Sequence, residues 1–124
     1  MPWKYVIDRP RRLIVSTGSG RLTFDEASTH NEHMESDPDF DPDFKQLIDL
    51  TGVTAFEVST VEAKKLASRA SFSAKSRRAL VASSPEVFGM GRLMEIYHEM
   101  AGGRAETCIF YDRVEAMKWL GVEE

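Results

Sequence analysis

The stretch Leu47-Ile48-Asp49-Leu50-Thr51-Gly52-Val53-Thr54-Ala55-Phe56-Glu57-Val58-Ser59-Thr60 decides the fold. Its first part is a short run of branched apolar residues that ends at Gly52, which is typical of a strand buried on both faces. Ser59 and Glu62 then form a capping box, in which the serine hydroxyl accepts a backbone N–H and the glutamate reaches back to the N-cap amide. The stretch therefore predicts a central strand that passes through a turn into a helix.

Length and composition restrict the class of protein. The 124 residues are enough for one domain with a substantial core, so we expect a single domain over residues 1–124. A net charge of −4 argues against a general nucleic-acid surface. The single cysteine excludes an internal disulfide, and no apolar run has the length of a membrane span or the pattern of a signal peptide. We expect a cytoplasmic protein without a membrane span.

Local patterns predict the elements on either side of the central stretch. In chain order these are an antiparallel hairpin of strands at 3–8 and 13–17, a helix from Thr23 to about Met34, a loop over 37–44, a helix after Ser59, a strand over 79–82, a helix from Pro85 to about Ala101, a strand over 107–111 and a helix from Arg113 to Leu120.

Glycines and prolines set two of these boundaries. Gly18 and Gly20 are expected to loosen the end of the second strand. The repeated Asp-Pro-Asp-Phe of residues 37–44 excludes a helix or a central strand, and its two phenylalanines are expected to hold the loop against the body. The alternation of strands and helices predicts an α/β fold with a mixed, mostly parallel sheet of about five strands, an N-terminal antiparallel hairpin and about four helices.

The order of elements and the central motif resemble the STAS domain, the fold of bacterial anti-sigma-factor antagonists, and more closely the SpoIIAA-like proteins. STAS domains typically read Asp-Leu-Ser-Gly-Val-Thr-Phe-Ile-Asp-Ser-Ser-Gly-Leu where this chain runs from Asp49 to Val61. The resemblance implies a SpoIIAA-like fold and a non-enzymatic interaction or regulatory role. Val58 stands where antagonists carry the phosphorylated serine, so only Ser59 and Thr60 remain to accept a phosphoryl group.

The strand-to-helix junction is the first candidate site, formed by Asp49, Glu57, Ser59 and Thr60. In open α/β sheets, ligands and partners gather outside the carboxyl ends of the strands. A phosphate on Ser59 or Thr60 would meet the free amides of a helix N-terminus, whereas the alternative is a plain N-cap.

A second pair of hydroxyls raises the same two alternatives. Ser83 and Ser84 follow another strand and precede another helix, so they are candidates for one edge of a site that binds an anion or a ligand. Serine is also a common N-cap, which accounts for the pair without a ligand.

The helix predicted after Pro85 carries more apolar residues than are needed to form a single apolar face that packs on a sheet. Met90, Met94 and Tyr97 belong to this surplus, which predicts either a homodimer or partner surface or the wall of an apolar pocket. Gly89 and Gly91 would let another backbone approach closely. The alternative is a helix buried by its own neighbours.

A carrier or sensor of a small amphipathic ligand is the second class of function. The ligand would lie against this helix, with its head group near Ser83, Ser84 and a run of basic residues that is otherwise a solvated face. The run comprises Lys64, Lys65, Arg69, Lys75, Arg77 and Arg78.

Metal binding and catalysis find less support in the sequence. His30 and His33 have one-face spacing with Glu26, but no fourth ligand can be named, which favours exposed polar residues over a metal site. The sequence pairs no nucleophile with a base and has no glycine-rich dinucleotide motif. We therefore expect neither an enzyme nor a cofactor.

Overall fold

The computed structural model describes residues 3–69, 71–102 and 105–122. Within them one sheet contains β1 (Trp3–Asp8), β2 (Leu13–Thr23), β3 (Lys45–Glu57), β4 (Arg77–Val81) and β5 (Glu106–Phe110). The helices are α1 (Phe24–Ser36), α2 (Thr60–Ala67), α3 (Pro85–Met100) and α4 (Arg113–Leu120). These elements confirm the predicted mixed α/β fold.

The five strands lie side by side in chain order. β1 is antiparallel to β2, and the remaining neighbours are parallel, with β3 at the centre. Each parallel strand is therefore added on the same side of its predecessor, and the sheet has no point at which the strand order reverses. In open α/β sheets, ligands bind outside the carboxyl ends of the strands at the point where such a reversal occurs. The topology of this sheet therefore gives no support to a ligand site at the strand-to-helix junction.

The helices cover the two faces of the sheet unequally. Alternate strand residues point to opposite faces. On one face, Leu47 and Val81 pack with Met117 and Leu120 of α4. On the other face, Ile48 and Leu80 pack with Val87 of α3. α1 and α2 lie on the same side as α3, so three helices form a layer over that face.

Two strands run further than the sequence patterns predict. β2 does not end near Gly18 and Gly20 but continues to Thr23, and shifts of register beside these glycines form bulges, where Gly20 has a φ of +67°. β3 does not turn at Gly52, which pairs with Ser19 of β2. Since each strand supplies hydrogen bonds to the other beyond its glycine, both continue. Only two residues then separate β3 from α2.

The loop over residues 37–44 has the predicted form. Phe44 is buried, and the ring of Phe40 meets that of Phe72 edge-on, with 5.5 Å between centroids. The carboxylates of Asp37 and Asp41 each accept the backbone N–H two residues further along. The two phenylalanines thus hold the loop against the body of the protein, as predicted.

The two glycines of α3 have different surroundings. A Cβ on Gly91 would lie 2.5 Å from Cδ1 of Ile109, so this glycine lets α3 approach its own sheet. A Cβ on Gly89 would have no atom of the described residues within 4 Å. The close approach expected from the sequence therefore occurs at Gly91, between α3 and β5 of the same chain. Separately, no helix among the described residues is long and apolar enough to cross a membrane.

Candidate functional site

A cavity of about 90 Å³ lies between the sheet and the layer formed by α1, α2 and α3. We call it the central cavity. Its wall is mostly apolar, and none of the described residues that line it is acidic. The lining residues are Trp3, Leu22, Ala27, His30, Asn31, Gln46, Ile48, Leu50, Phe56, Val58, Leu66, Ala67, Arg78, Leu80, Met94, His98 and Thr107.

Three polar residues cross the sheet in one row on the cavity side. Gln46 of β3 is the register partner of Arg78 in β4, and Arg78 is the partner of Thr107 in β5. Neighbouring strands are about 4.8 Å apart, so the row is roughly 10 Å long. The row gives the apolar cavity a polar floor.

Arg78 is the charged member of this row. Its Nε donates to Oε1 of Gln46 at 3.0 Å, and its guanidinium carbon lies 5.1 Å from the centroid of the Phe72 ring. Neither terminal nitrogen has a hydrogen-bond partner among the described residues. The nearby Glu35 instead binds Arg69 and Ser71. A guanidinium with unused donors therefore lines the central cavity.

Arg78 is half-buried and borders the open cavity. Desolvation lowers the pKa of its guanidinium to about 10, against the attraction of Glu35. The guanidinium is therefore charged at neutral pH.

A hydrogen-bonded chain continues from Gln46 to His30. Nε2 of Gln46 donates to Oγ of Ser16 at 3.0 Å, and the same oxygen lies 3.0 Å from Nε2 of His30. His30 also stacks on Trp3, with 4.6 Å between ring centroids. Burial, with a smaller contribution from His33, lowers the pKa of His30 to about 4. The prediction that His30 is an exposed polar residue is wrong, because its ring is enclosed between Ser16 and Trp3.

Two buried polar atoms at the cavity have no hydrogen-bond partner among the described residues. They are Oγ1 of Thr107 and Nε1 of Trp3. A buried polar group without a partner costs free energy, so such atoms point to a water or a ligand. By contrast, the ring nitrogens of His98 lie 2.8 Å and 3.0 Å from the carbonyl oxygens of Ala67 and Ala105.

The structure separates the residues of the predicted strand-to-helix site. Asp49 accepts hydrogen bonds from Thr51 and Arg113. Partial burial raises the pKa of Asp49, but these hydrogen bonds outweigh it and leave the pKa lowered. Glu57, eight residues further along β3, forms an exposed ion pair with Arg21.

The predicted hydroxyl residues lie at helix starts. Ser59 forms the predicted capping box with Glu62, and Thr60 is the first residue of α2. Ser84 caps α3, while Ser83 donates to the carbonyl oxygen of Thr51 at 2.9 Å. None of these four residues lines the central cavity.

The predicted residues of α3 divide between two environments. Met94 lines the central cavity. Met90 is half-buried outside it, and the ring of Tyr97 lies 5.4 Å from Nζ of Lys64. Leu93 and Ile96 are 40% and 47% exposed. The surplus of apolar residues therefore supplies both a pocket wall and an exposed surface.

Sequence reasoning missed the polar floor of the cavity. Arg78 belongs to the basic run of the sequence, yet the structure disperses that run: Arg69 pairs with Glu35, and Arg77 lies over Trp119 on the opposite face. The available signal was the alternation of β4, which places Arg78 on the same face as Leu80. The described residues contain no group of three or more His, Cys, Asp or Glu side chains that could hold a metal.

Comparison with solved structures supports the fold. The chain is similar to an uncharacterized protein of the DUF3478 family with a SpoIIAA-like fold from Shewanella loihica PV-4, with 20% identity and a TM-score of 0.62 over 95% of this chain and 93% of that one. The chain therefore has a SpoIIAA-like fold. No family model matches the sequence. No curated protein matches it either.

Proposed function

We propose that the protein is a non-enzymatic binding domain that carries or senses a small amphipathic ligand in the central cavity. The observation that carries this proposal is an apolar cavity whose wall contains hydrogen-bond donors that have no partner within residues 3–69, 71–102 and 105–122. Ligand sites commonly combine an apolar wall with a few polar groups that orient the ligand. At about 90 Å³ the cavity is smaller than the roughly 150 Å³ that accommodates benzene, but it is open to solvent, so a small ring or a short branched chain would occupy it in part and extend through its opening.

The chemistry of the wall favours binding over catalysis. Its charged group is an arginine, which stays protonated and does not exchange protons at neutral pH. Both ring nitrogens of His98 already contact backbone carbonyls. We therefore assign the cavity a binding role.

Filling the cavity should abolish binding. We expect Ala27→Leu, on the cavity side of α1, to raise the midpoint of thermal unfolding and to remove the further rise that a bound ligand gives by mass action. Ser36→Leu, at an exposed position of the same helix, is the matched control. Thermal unfolding with and without benzyl alcohol measures both effects. An equal response of Ala27→Leu and the unaltered protein would place the ligand elsewhere.

We propose self-association as a second function, because α2 and α3 expose apolar side chains. Val61, Leu93, Ile96 and Met100 are between 40% and 76% exposed. Large apolar side chains grouped on a surface are typical of an interface.

Light scattering tests this second proposal. We expect the unaltered protein to show the mass of a dimer at high micromolar concentration and Ile96→Lys to show that of a monomer. Val6→Lys, at a 65% exposed position on β1, is the control. A monomer at every concentration for the unaltered protein would contradict the proposal.

A further inference from the structure

We infer that the ligand of the central cavity is a small carboxylic acid whose carboxylate binds the two terminal nitrogens of Arg78 and the hydroxyl of Thr107. This inference rests on the proposed binding function and adds the chemical class of the ligand. It depends on three observations on the described part of the chain: the terminal nitrogens of Arg78 have no partner there, the hydroxyl of Thr107 has none either, and the cavity wall contains no acidic side chain.

The geometry of Arg78 selects a planar anion. Gln46 already accepts from Nε, which leaves the two terminal nitrogens as a fork. Such a fork matches the two oxygens of a carboxylate, and paired N–H···O bonds of this kind are among the stronger hydrogen bonds in proteins. Thr107 is the register partner of Arg78, so its hydroxyl lies one strand away on the same face.

The charge of the cavity selects a monoanion. Arg78 is the only lysine or arginine among the described lining residues, and Glu35, whose charge acts on it, is bound to Arg69. One guanidinium neutralises one carboxylate, whereas a phosphate monoester carries nearly two charges at neutral pH. The apolar remainder of the wall, including Ile48, Leu80 and Met94, would enclose the body of the acid.

A panel of matched ligands tests the inference. Trp119→Phe leaves Trp3, which lines the cavity, as the single tryptophan and fluorescent reporter. In this background we expect benzoate to bind at least tenfold more tightly than benzyl alcohol or phenyl phosphate, since hydrogen bonds to a charged group give such a factor. Equal binding of benzoate and benzyl alcohol would overturn the carboxylate assignment and leave the proposed function standing. Tighter binding of phenyl phosphate would overturn it as well.

Substitutions at the polar floor give an independent test. We expect Arg78→Met to weaken benzoate binding at least tenfold while benzyl alcohol binding changes less than threefold. Arg78→Lys keeps the charge but not the fork, and it should also weaken benzoate binding, which covers the case in which Arg78→Met does not fold. Thr107→Val should weaken benzoate binding without lowering the unfolding midpoint, because the hydroxyl bonds to none of the described residues. Unchanged benzoate affinity in folded Arg78→Lys and Thr107→Val would refute the inference.

Failure of benzoate and benzyl alcohol alike to bind the unaltered protein would instead count against the proposed function.

Discussion

Lowering the pH from about 6.5 to 4 should destabilise the folded protein by about 3 kcal/mol through His30 alone. Burial lowers the pKa of His30 from 6.5 to about 4, and one pKa unit corresponds to about 1.4 kcal/mol. Between these values the unfolded chain binds the proton and the folded chain does not, so stability rises with pH across this window. The contribution is complete above pH 6.5 and is lost as the pH falls to 4.

Urea unfolding at a series of pH values measures this effect. His30→Gln should remove most of the dependence between pH 6.5 and 4, while His33→Gln, at an exposed position of the same helix, should retain it. Glu35 and Asp49, whose pKa values are lowered in the folded protein, add some dependence near the acid end of this window, and they do so equally in both variants. A dependence that survives in His30→Gln would show that another group is responsible.

Gly91→Ala should destabilise the protein by about 1–2 kcal/mol, the net of two opposing effects. The new Cβ would lie 2.5 Å from Cδ1 and 2.8 Å from Cγ1 of Ile109, and overpacking of this kind costs about 1–3 kcal/mol. Alanine also favours a helix over glycine by up to about 1 kcal/mol, which offsets part of that cost. Chemical denaturation measures the change in the free energy of unfolding.

The other glycine of α3 is the matched control. Gly89→Ala gains the same helix propensity and meets no atom within 4 Å, so it should stabilise the protein by about 0.5–1 kcal/mol. Ile109→Val removes Cδ1, and it should recover part of the loss when combined with Gly91→Ala. Equal stability of the two alanine variants would mean that α3 can move away from the sheet at no cost.

The sequence was sufficient for the fold because local signals agreed with one another. The capping box at Ser59, the proline after Ser84 and the glycine after Leu120 mark helix ends that the structure has at the same positions. The strand ends were predicted less well. Whether a glycine ends a strand depends on the neighbouring strand, and the pairing of Gly52 with Ser19 is a tertiary contact.

The central cavity was not predictable in the same way. Its floor joins Gln46, Arg78 and Thr107, which are about thirty residues apart from one to the next and meet only through sheet register. Arg78 also belongs to a basic run, and composition alone assigns such a run to solvent. The excess of apolar residues in α3 predicted the apolar wall at Met94. The predicted head-group position, near Ser83, Ser84 and the basic run, includes only one residue that lines the cavity, Arg78.

The arrangement of the strands in chain order also bears on how the chain folds. Each strand pairs with the one made just before it, so the sheet can grow from β1 towards β5 while the chain is being synthesised. Contacts between neighbours in sequence are closed at a lower entropic cost than distant ones. Thr107 lies on the last strand, and the cavity floor is therefore expected to be completed only at the end of folding.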